Sequence, residues 1–104
     1  MSIEDDTIFE PFTKLLKAVA DPSRRHILMV LRHQGELSVN DIAAAVGLSQ
    51  PLASQHLRIL KEADAIQARR DGQQIYYELT SVQLCDALAD LLMLYQQELQ
   101  KRRG

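Results

Sequence analysis

The chain has 104 residues, of which 46% are hydrophobic and 25% charged, enough for one domain with a modest core. The lack of a long apolar run excludes a membrane-spanning segment, and a single cysteine excludes an internal disulfide. The formal net charge of −2 decides nothing about a nucleic-acid partner, because four of the 14 acidic residues lie within the first ten positions. The remaining residues carry 12 basic and 10 acidic side chains, a net charge of +2.

The ends of the chain and its lone cysteine give expectations about location, domain bounds and the role of the thiol. The first residues, MSIEDDTIFE, are acidic where a secretory signal would be basic and then apolar, so we expect a cytoplasmic protein with no membrane partner. We expect a single domain spanning residues 1–104, with flexible tails at 1–7 and 101–104. For Cys85, a buried structural role is favoured over a reactive one.

Two helices are predicted at the beginning of the chain. Apolar residues recur every three or four positions from Ile8 to Val19, the stripe of an amphipathic helix. Asp21-Pro22 then signals a second helix, because Asp can cap free amides and Pro fits the first helical position. This helix runs to about Gln34, and Gly35 ends it.

The next stretch predicts two short helices joined by a turn. Ser38 and Asp41 have the spacing of a capping box ahead of a third helix that ends at Val46. Gly47 can take the left-handed conformation, and Ser49 caps a fourth helix from Gln50 to about Ala63. Such a pair predicts a helix-turn-helix.

After the fourth helix the hydrophobic period changes to two, which predicts a hairpin over residues 66–79. A type I′ turn at Asp71-Gly72 would give the pairs Arg70 with Gln73, Ala68 with Ile75, and Ile66 with Tyr77. Thr80 or Ser81 then caps a long last helix with an apolar stripe. The predicted fold is therefore mainly α with a β-hairpin wing, a winged helix-turn-helix.

The fourth helix has one polar face and one apolar face, which is predicted to consist of Ala53, Leu57 and Leu60 with Leu52, Ile59 and Ala63 beside them. Ser and Gln on the polar face are not the residues usually chosen to stabilise an exposed helix, but they bond well to base edges and phosphates. An ordinary solvated face is the alternative, and the helix-turn-helix context favours double-stranded DNA. The candidate base-reading residues are Ser54, Gln55 and Arg58 with Gln50 beside them, and Pro51 shares their face.

Other residues are candidates for contact with the DNA backbone: Ser49, Arg69, Arg70 and Gln73. The two arginines have an alternative role as charged guards of an exposed strand edge. His56 lies at the margin of the apolar stripe, where an imidazole bonded to a neighbour is favoured over a phosphate contact.

Five pieces of the chain together resemble the ArsR/SmtB family of small bacterial winged-helix repressors: ADPSRRHIL, GELSVNDIA, GLSQPLASQHLRILKEA, RRDGQQIYYEL and the closing helix. The pattern SQxxxSQHL and the Tyr-Tyr strand are most similar to the branch that includes HlyU, BigR and NolR. The resemblance implies a homodimer built from the first and last helices, and repression relieved by an effector. Asp64 departs from the pattern, because the family's reading helix usually ends in Gly. Asp tolerates the left-handed conformation better than most residues, so we expect the turn into the wing to form with some strain.

The family's metal and thiol sites do not carry over to this chain. The resemblance places the metal-binding positions on Ser38, Asn40, Ser81, Gln83, Leu94 and Gln97, and the paired cysteines of sulfur-sensing relatives on Met29 and Gln96. None of the residues at the metal-binding positions is a strong ligand for a transition metal, and neither residue at the cysteine positions has a thiol. We therefore expect no metal or cofactor. The sequence leaves open whether the protein has an effector, which would be an unidentified small molecule or protein.

The sequence favours a DNA-binding repressor that reads an imperfect palindrome. A winged-helix module that binds protein is an alternative, supported by the weak net charge. A redox-responsive regulator using Cys85 is another. An enzyme is not expected, because no nucleophile, base and orienting group can be assembled.

Overall fold

The computed structural model describes residues 6–104, with side chains from Phe9 onward, as five helices and a small sheet. The elements are α1 (Asp6–Val19), α2 (Pro22–Gln34), β1 (Leu37–Ser38), α3 (Val39–Val46), α4 (Gln50–Glu62), β2 (Ile66–Asp71), β3 (Gln74–Leu79) and α5 (Val82–Arg103). The predicted winged helix-turn-helix is confirmed. Of the predicted N-terminal tail, residues 1–5 lie outside the described part, and α1 already includes positions 6 and 7.

Four helices begin where the sequence predicted a capping side chain: Asp21, Ser38, Ser49 and Ser81. Each of these side chains accepts a hydrogen bond from the amide three residues further on, at 3.0–3.3 Å. A serine cap typically contributes about 0.5–2 kcal/mol. Ser81, and not Thr80, is the cap of α5.

The core joins α2, α3, α4 and the first strand of the wing. Its fully buried large side chains are Ile27, Ile42, Leu57, Leu60 and Ile66. Two of them, with Ala53, form the inner face of α4 as predicted, so α4 is held with its opposite face outward. One prediction on this helix is wrong: Leu52 was placed beside the core, but its side chain is 40% exposed.

The register of the wing differs from the predicted one. Arg70 pairs with Ile75 and Ile66 pairs with Leu79, so the two-residue loop is Gly72-Gln73 and not Asp71-Gly72. A type I′ loop needs positive φ at both positions, whereas here Gly72 alone has it, at 64°. A glycine in first position is the requirement of a type II′ loop. The partner of each residue moves by two places, so the predicted division into two faces is preserved.

A short third strand was not predicted. β1 pairs with β3 through Leu37 with Tyr77 and Ser38 with Tyr76, giving the strand order β1-β3-β2. Two residues are too few to show an alternating pattern in a sequence. The strand attaches the base of the wing to the connection between α2 and α3.

Helix α5 continues through Arg103, where the sequence predicted a flexible tail from residue 101. Three basic residues in its last turn, Lys101, Arg102 and Arg103, interact favourably with the negative end of the helix dipole. Among the described residues, no helix combines the length and the apolarity needed to cross a bilayer.

Asp64, between α4 and β2, has a φ of 57°, the one positive value outside glycine in the described chain. The left-handed conformation costs an ordinary residue about 1–2 kcal/mol, although Asp tolerates it better than most. Replacing Asp64 by Gly should therefore raise the free energy of unfolding by about 0.5–1 kcal/mol in urea denaturation. Asp64→Ala keeps the Cβ and should give no such gain, and a glycine variant less stable than the parent would contradict the assignment of strain.

Candidate nucleic-acid interface

The outward face of α4 forms a shallow depression, which we call the α4 depression. Its lining residues are Ser49, Pro51, Leu52, Ser54, Gln55 and Arg58. Five of the six are sequence-predicted site residues, and the structure brings them together on one surface. Leu52 was missed, although it lies three residues before Gln55 and so shares its side of the helix.

The side chains around the α4 depression differ in how far they are already bonded. Gln50 Nε2 donates to Ser54 Oγ at 3.2 Å, so these two groups are partly occupied by each other. The Ser49 hydroxyl caps the helix but can still donate its own hydrogen. Within residues 9–104, no side-chain hydrogen bond or ion pair engages Gln55 or Arg58. These two offer unused donors at the surface.

His56 belongs to a junction between helices and does not line the α4 depression. The ring is half-buried, and its Nδ1 lies 3.3 Å from a terminal nitrogen of Arg24. Arg24 Nε donates to the carbonyl of Ala18 at 2.5 Å, at the end of α1. This is the bonded imidazole that the sequence favoured over a phosphate contact.

On the wing, Arg69 is engaged by acidic neighbours. Its Nε and one terminal nitrogen donate to the two carboxylate oxygens of Glu36 at 3.1 and 2.7 Å. The hydrogen bond from Arg69 lowers the pKa of the Glu36 carboxyl, and the same bond raises the pKa of the arginine. Arg70 and Gln73, near the tip, are exposed. Glu36 was not singled out from the sequence, because 33 positions separate it from Arg69.

Cys85, in the first turns of α5, is buried, and its surroundings disfavour reactivity. Burial, and then the charge of Asp86, raise the pKa of the thiol. The thiolate is the reactive form, so little of it is present at neutral pH. These surroundings favour the structural role over the redox-responsive alternative.

A second surface runs along α1 and α5 and is apolar. Two grooves meet at Leu88 and Leu91, one between α2 and α5 and the other between α1 and α5. The exposed large apolar residues of the two helices are Phe9, Phe12, Leu16, Val82, Leu84, Leu91, Leu92, Met93, Leu94 and Tyr95. An exposed apolar surface is typical of a protein interface, and six of these residues line the two grooves: Phe12, Leu16, Leu84, Leu91, Leu92 and Tyr95. Within the described side chains, no three His, Cys, Asp or Glu residues gather in a way that could hold a metal ion.

Two short helices joined by Gly47, the second presenting a polar face, and a hairpin beside them define a winged helix-turn-helix DNA-binding domain. The model of the ArsR family of bacterial regulatory proteins matches residues 21–67. The transcriptional repressor SdpR of Bacillus subtilis is 43% identical over 74 residues, which cover 71% of this chain and 81% of that protein. The chain spans 51% to 81% of the first curated relatives that it matches.

Solved structures agree with this assignment. The homodimeric winged helix-turn-helix DNA-binding domain Mb0332 from Mycobacterium bovis, a possible ArsR-family regulator, has a TM-score of 0.81 at 29% identity, over 97% of this chain and 93% of that one. NolR from Sinorhizobium fredii has a TM-score of 0.75 at 37% identity, over 91% and 94%. The chain belongs to the ArsR family and is a DNA-binding transcriptional regulator.

Proposed function

We propose that the protein is a dimeric repressor that reads an imperfect palindrome of double-stranded DNA. In this proposal α4 of each protomer enters the major groove, and the wing contacts the flanking backbone. The observation that carries it is the exposed face of α4, where Gln55 and Arg58 have no side-chain hydrogen bond or ion pair with any residue of 9–104. We propose one domain over residues 1–104, acting in the cytoplasm on DNA, and assign it no catalytic role.

Base reading requires a rigid support for the reading side chains. Leu57 and Leu60, on the inner face of α4, are fully buried, so the helix cannot rotate about its axis without exposing them. The Gln55 amide can bond an adenine edge with two hydrogen bonds, and the Arg58 guanidinium a guanine edge. The exposed Leu52 offers an apolar contact for a thymine methyl group.

Backbone contacts would fix the position of α4 along the groove. The first amides of α4 carry the positive end of the helix dipole, and the Ser49 hydroxyl lies beside them. At the wing, Arg70 and Gln73 are exposed and can donate to phosphate oxygens. Such contacts add affinity without base preference.

Dimerisation supplies the second half-site. The apolar surface of α1 and α5 lies apart from the residues of the α4 depression, so two copies can join there with both reading helices free. The similar Mb0332 domain is homodimeric. A two-fold dimer matches half-sites about 34–36 Å apart, one turn of DNA. An effector would act by changing the angle between the two reading helices.

The test is binding selection followed by fluorescence anisotropy. A random-sequence duplex library and the DNA upstream of the protein's own gene are both offered to the purified protein. We expect enrichment of a palindrome bound about 10³-fold or more tightly than random DNA, with affinity falling steeply as salt rises. No enrichment, with equal affinity for all sequences, would contradict sequence-specific repression. Absence of binding even at low salt would favour the protein-binding module.

A further inference from the structure

The guanidinium of Arg69 contacts three other groups of the protein, although its side chain is 54% exposed. Glu36 accepts two of its N–H donors, and the third nitrogen lies 3.8 Å from the Asp71 carboxylate. The guanidinium carbon lies 5.0 Å from the centroid of the Tyr76 ring. A cation over an aromatic face with a bidentate carboxylate partner is a geometrically specific arrangement.

We propose that Glu36, Arg69 and Tyr76 form a wing latch, which positions the wing relative to α4, and that Arg69 is not a phosphate contact. The proposal rests on the proposed DNA-binding function, because positioning matters only if the wing touches the duplex. It changes the role that the sequence assigned to Arg69 and leaves Arg70 as the cation that the wing offers to phosphate.

The latch crosses the whole sheet. Tyr76, on the central strand β3, pairs with Arg69 on one side and with Ser38 on the other. Glu36 directly precedes β1, and its carboxylate lies on the same face as the ring, since it accepts both hydrogen bonds from the guanidinium over Tyr76. The arginine therefore extends over Tyr76 from the outer strand and reaches the connection between α2 and β1.

A free hairpin needs such support. Two strands alone are marginally stable in water, and β2 beyond Ile66 has no buried residue. The latch joins this strand to the connection that leads into α3, and α3 packs against α4 in the helix-turn-helix. An exposed ion pair of this kind adds little to global stability, so its expected effect is on the wing's order and orientation.

The same geometry disfavours a phosphate at Arg69. A phosphate approaching the guanidinium would meet two carboxylates, Glu36 and Asp71, next to the donors that it needs. The lowered pKa of Glu36 keeps its carboxylate charged at neutral pH. Arg70 has no ion pair in the described structure, and its side chain is exposed.

The experiment compares Glu36→Gln, Arg69→Gln and the double variant with Arg70→Gln. We expect each latch variant to weaken operator binding about threefold to tenfold, since a loosened segment must be ordered on binding. The salt slope, which is the change in log affinity with log salt concentration, should stay unchanged. The double variant should bind the operator no more weakly than either single variant. Arg70→Gln should reduce the slope by about one unit per protomer. Glu78→Gln, an equal loss of negative charge elsewhere on β3, should not weaken binding.

A measurement without DNA keeps the latch testable if the repressor function fails. Heteronuclear ¹H–¹⁵N NOE values of the wing amides, residues 67–74, should fall in both latch variants and not in Glu78→Gln. Unchanged values would overturn the latch. Tighter operator binding by Glu36→Gln with a steeper salt slope would also overturn it, because Arg69 would then be a phosphate contact restrained by Glu36. A wild-type protein that binds no DNA would refute the proposed function alone.

Discussion

Replacing Leu91 by glutamate should convert the proposed dimer into monomers and weaken operator binding about a hundredfold or more. Leu91 is 61% exposed in the single chain and lines both apolar grooves. In the monomer the new carboxylate remains in water, so the fold should be preserved. In the dimer it would be buried without a partner, at a cost of about 3–5 kcal/mol. Because a two-fold interface contains the substitution twice, this cost applies to both copies.

Analytical ultracentrifugation would give the dimer dissociation constant, and far-ultraviolet circular dichroism would show whether the monomer is folded. Val82→Glu is the matched control, because Val82 is 48% exposed on the same helix but lines neither groove. That variant should remain dimeric. A Leu91→Glu protein with an unchanged dissociation constant would show that the dimer forms elsewhere.

The burial of α5 gives an independent reason to expect a partner on this face. The helix has 22 residues, yet Cys85 is the one buried side chain along it. A helix in a protein gains most of its stability from packing its apolar face, and α5 packs little of its apolar face against the rest of the chain. A second copy would cover the remainder, and a stable interface needs about 800 Å² on each partner.

The features that sequence reasoning predicted correctly depend on neighbouring residues. A helix cap is decided by one side chain and the amide three positions later, so Asp21, Ser38 and Ser49 could be read directly. The left-handed turns at Gly47 and Asp64 are local in the same sense. The helical period likewise showed which face of α4 is buried.

The features that were missed or wrong depend on distant parts of the chain. The hairpin register was predicted from the preference of Asp-Gly for one turn type, whereas the sheet as folded sets the loop at Gly72-Gln73. The partner of Arg69 lies 33 residues away, and no local pattern indicates which acid it will meet. Arg69 and Arg70 look equivalent in the sequence, and the two roles proposed for them follow from which face of the sheet each occupies.

The second large effect concerns specificity. Gln55→Ala should cost about 1–3 kcal/mol on the cognate operator and relax the preference at one base pair of each half-site. Gln55 lines the α4 depression with no competing partner among the described residues, so its amide is available to a base edge. The helix should be unaffected, because alanine is a better helix former than glutamine.

The control for this substitution is Gln83→Ala, an equal change at an exposed position of α5 that lines neither the α4 depression nor the grooves. Anisotropy titrations on the operator and on random duplex separate the possible roles of Gln55. A loss of affinity for the operator alone, with an unchanged salt slope, identifies a base contact, since a glutamine releases no counterions. An equal loss of affinity for both duplexes would mean that Gln55 contacts the DNA backbone. Unchanged affinity for both would mean that Gln55 faces solvent in the complex. In both of those cases Arg58, one helical turn further along α4, would be left as the donor of the α4 depression that can read a base and has no partner among the described residues.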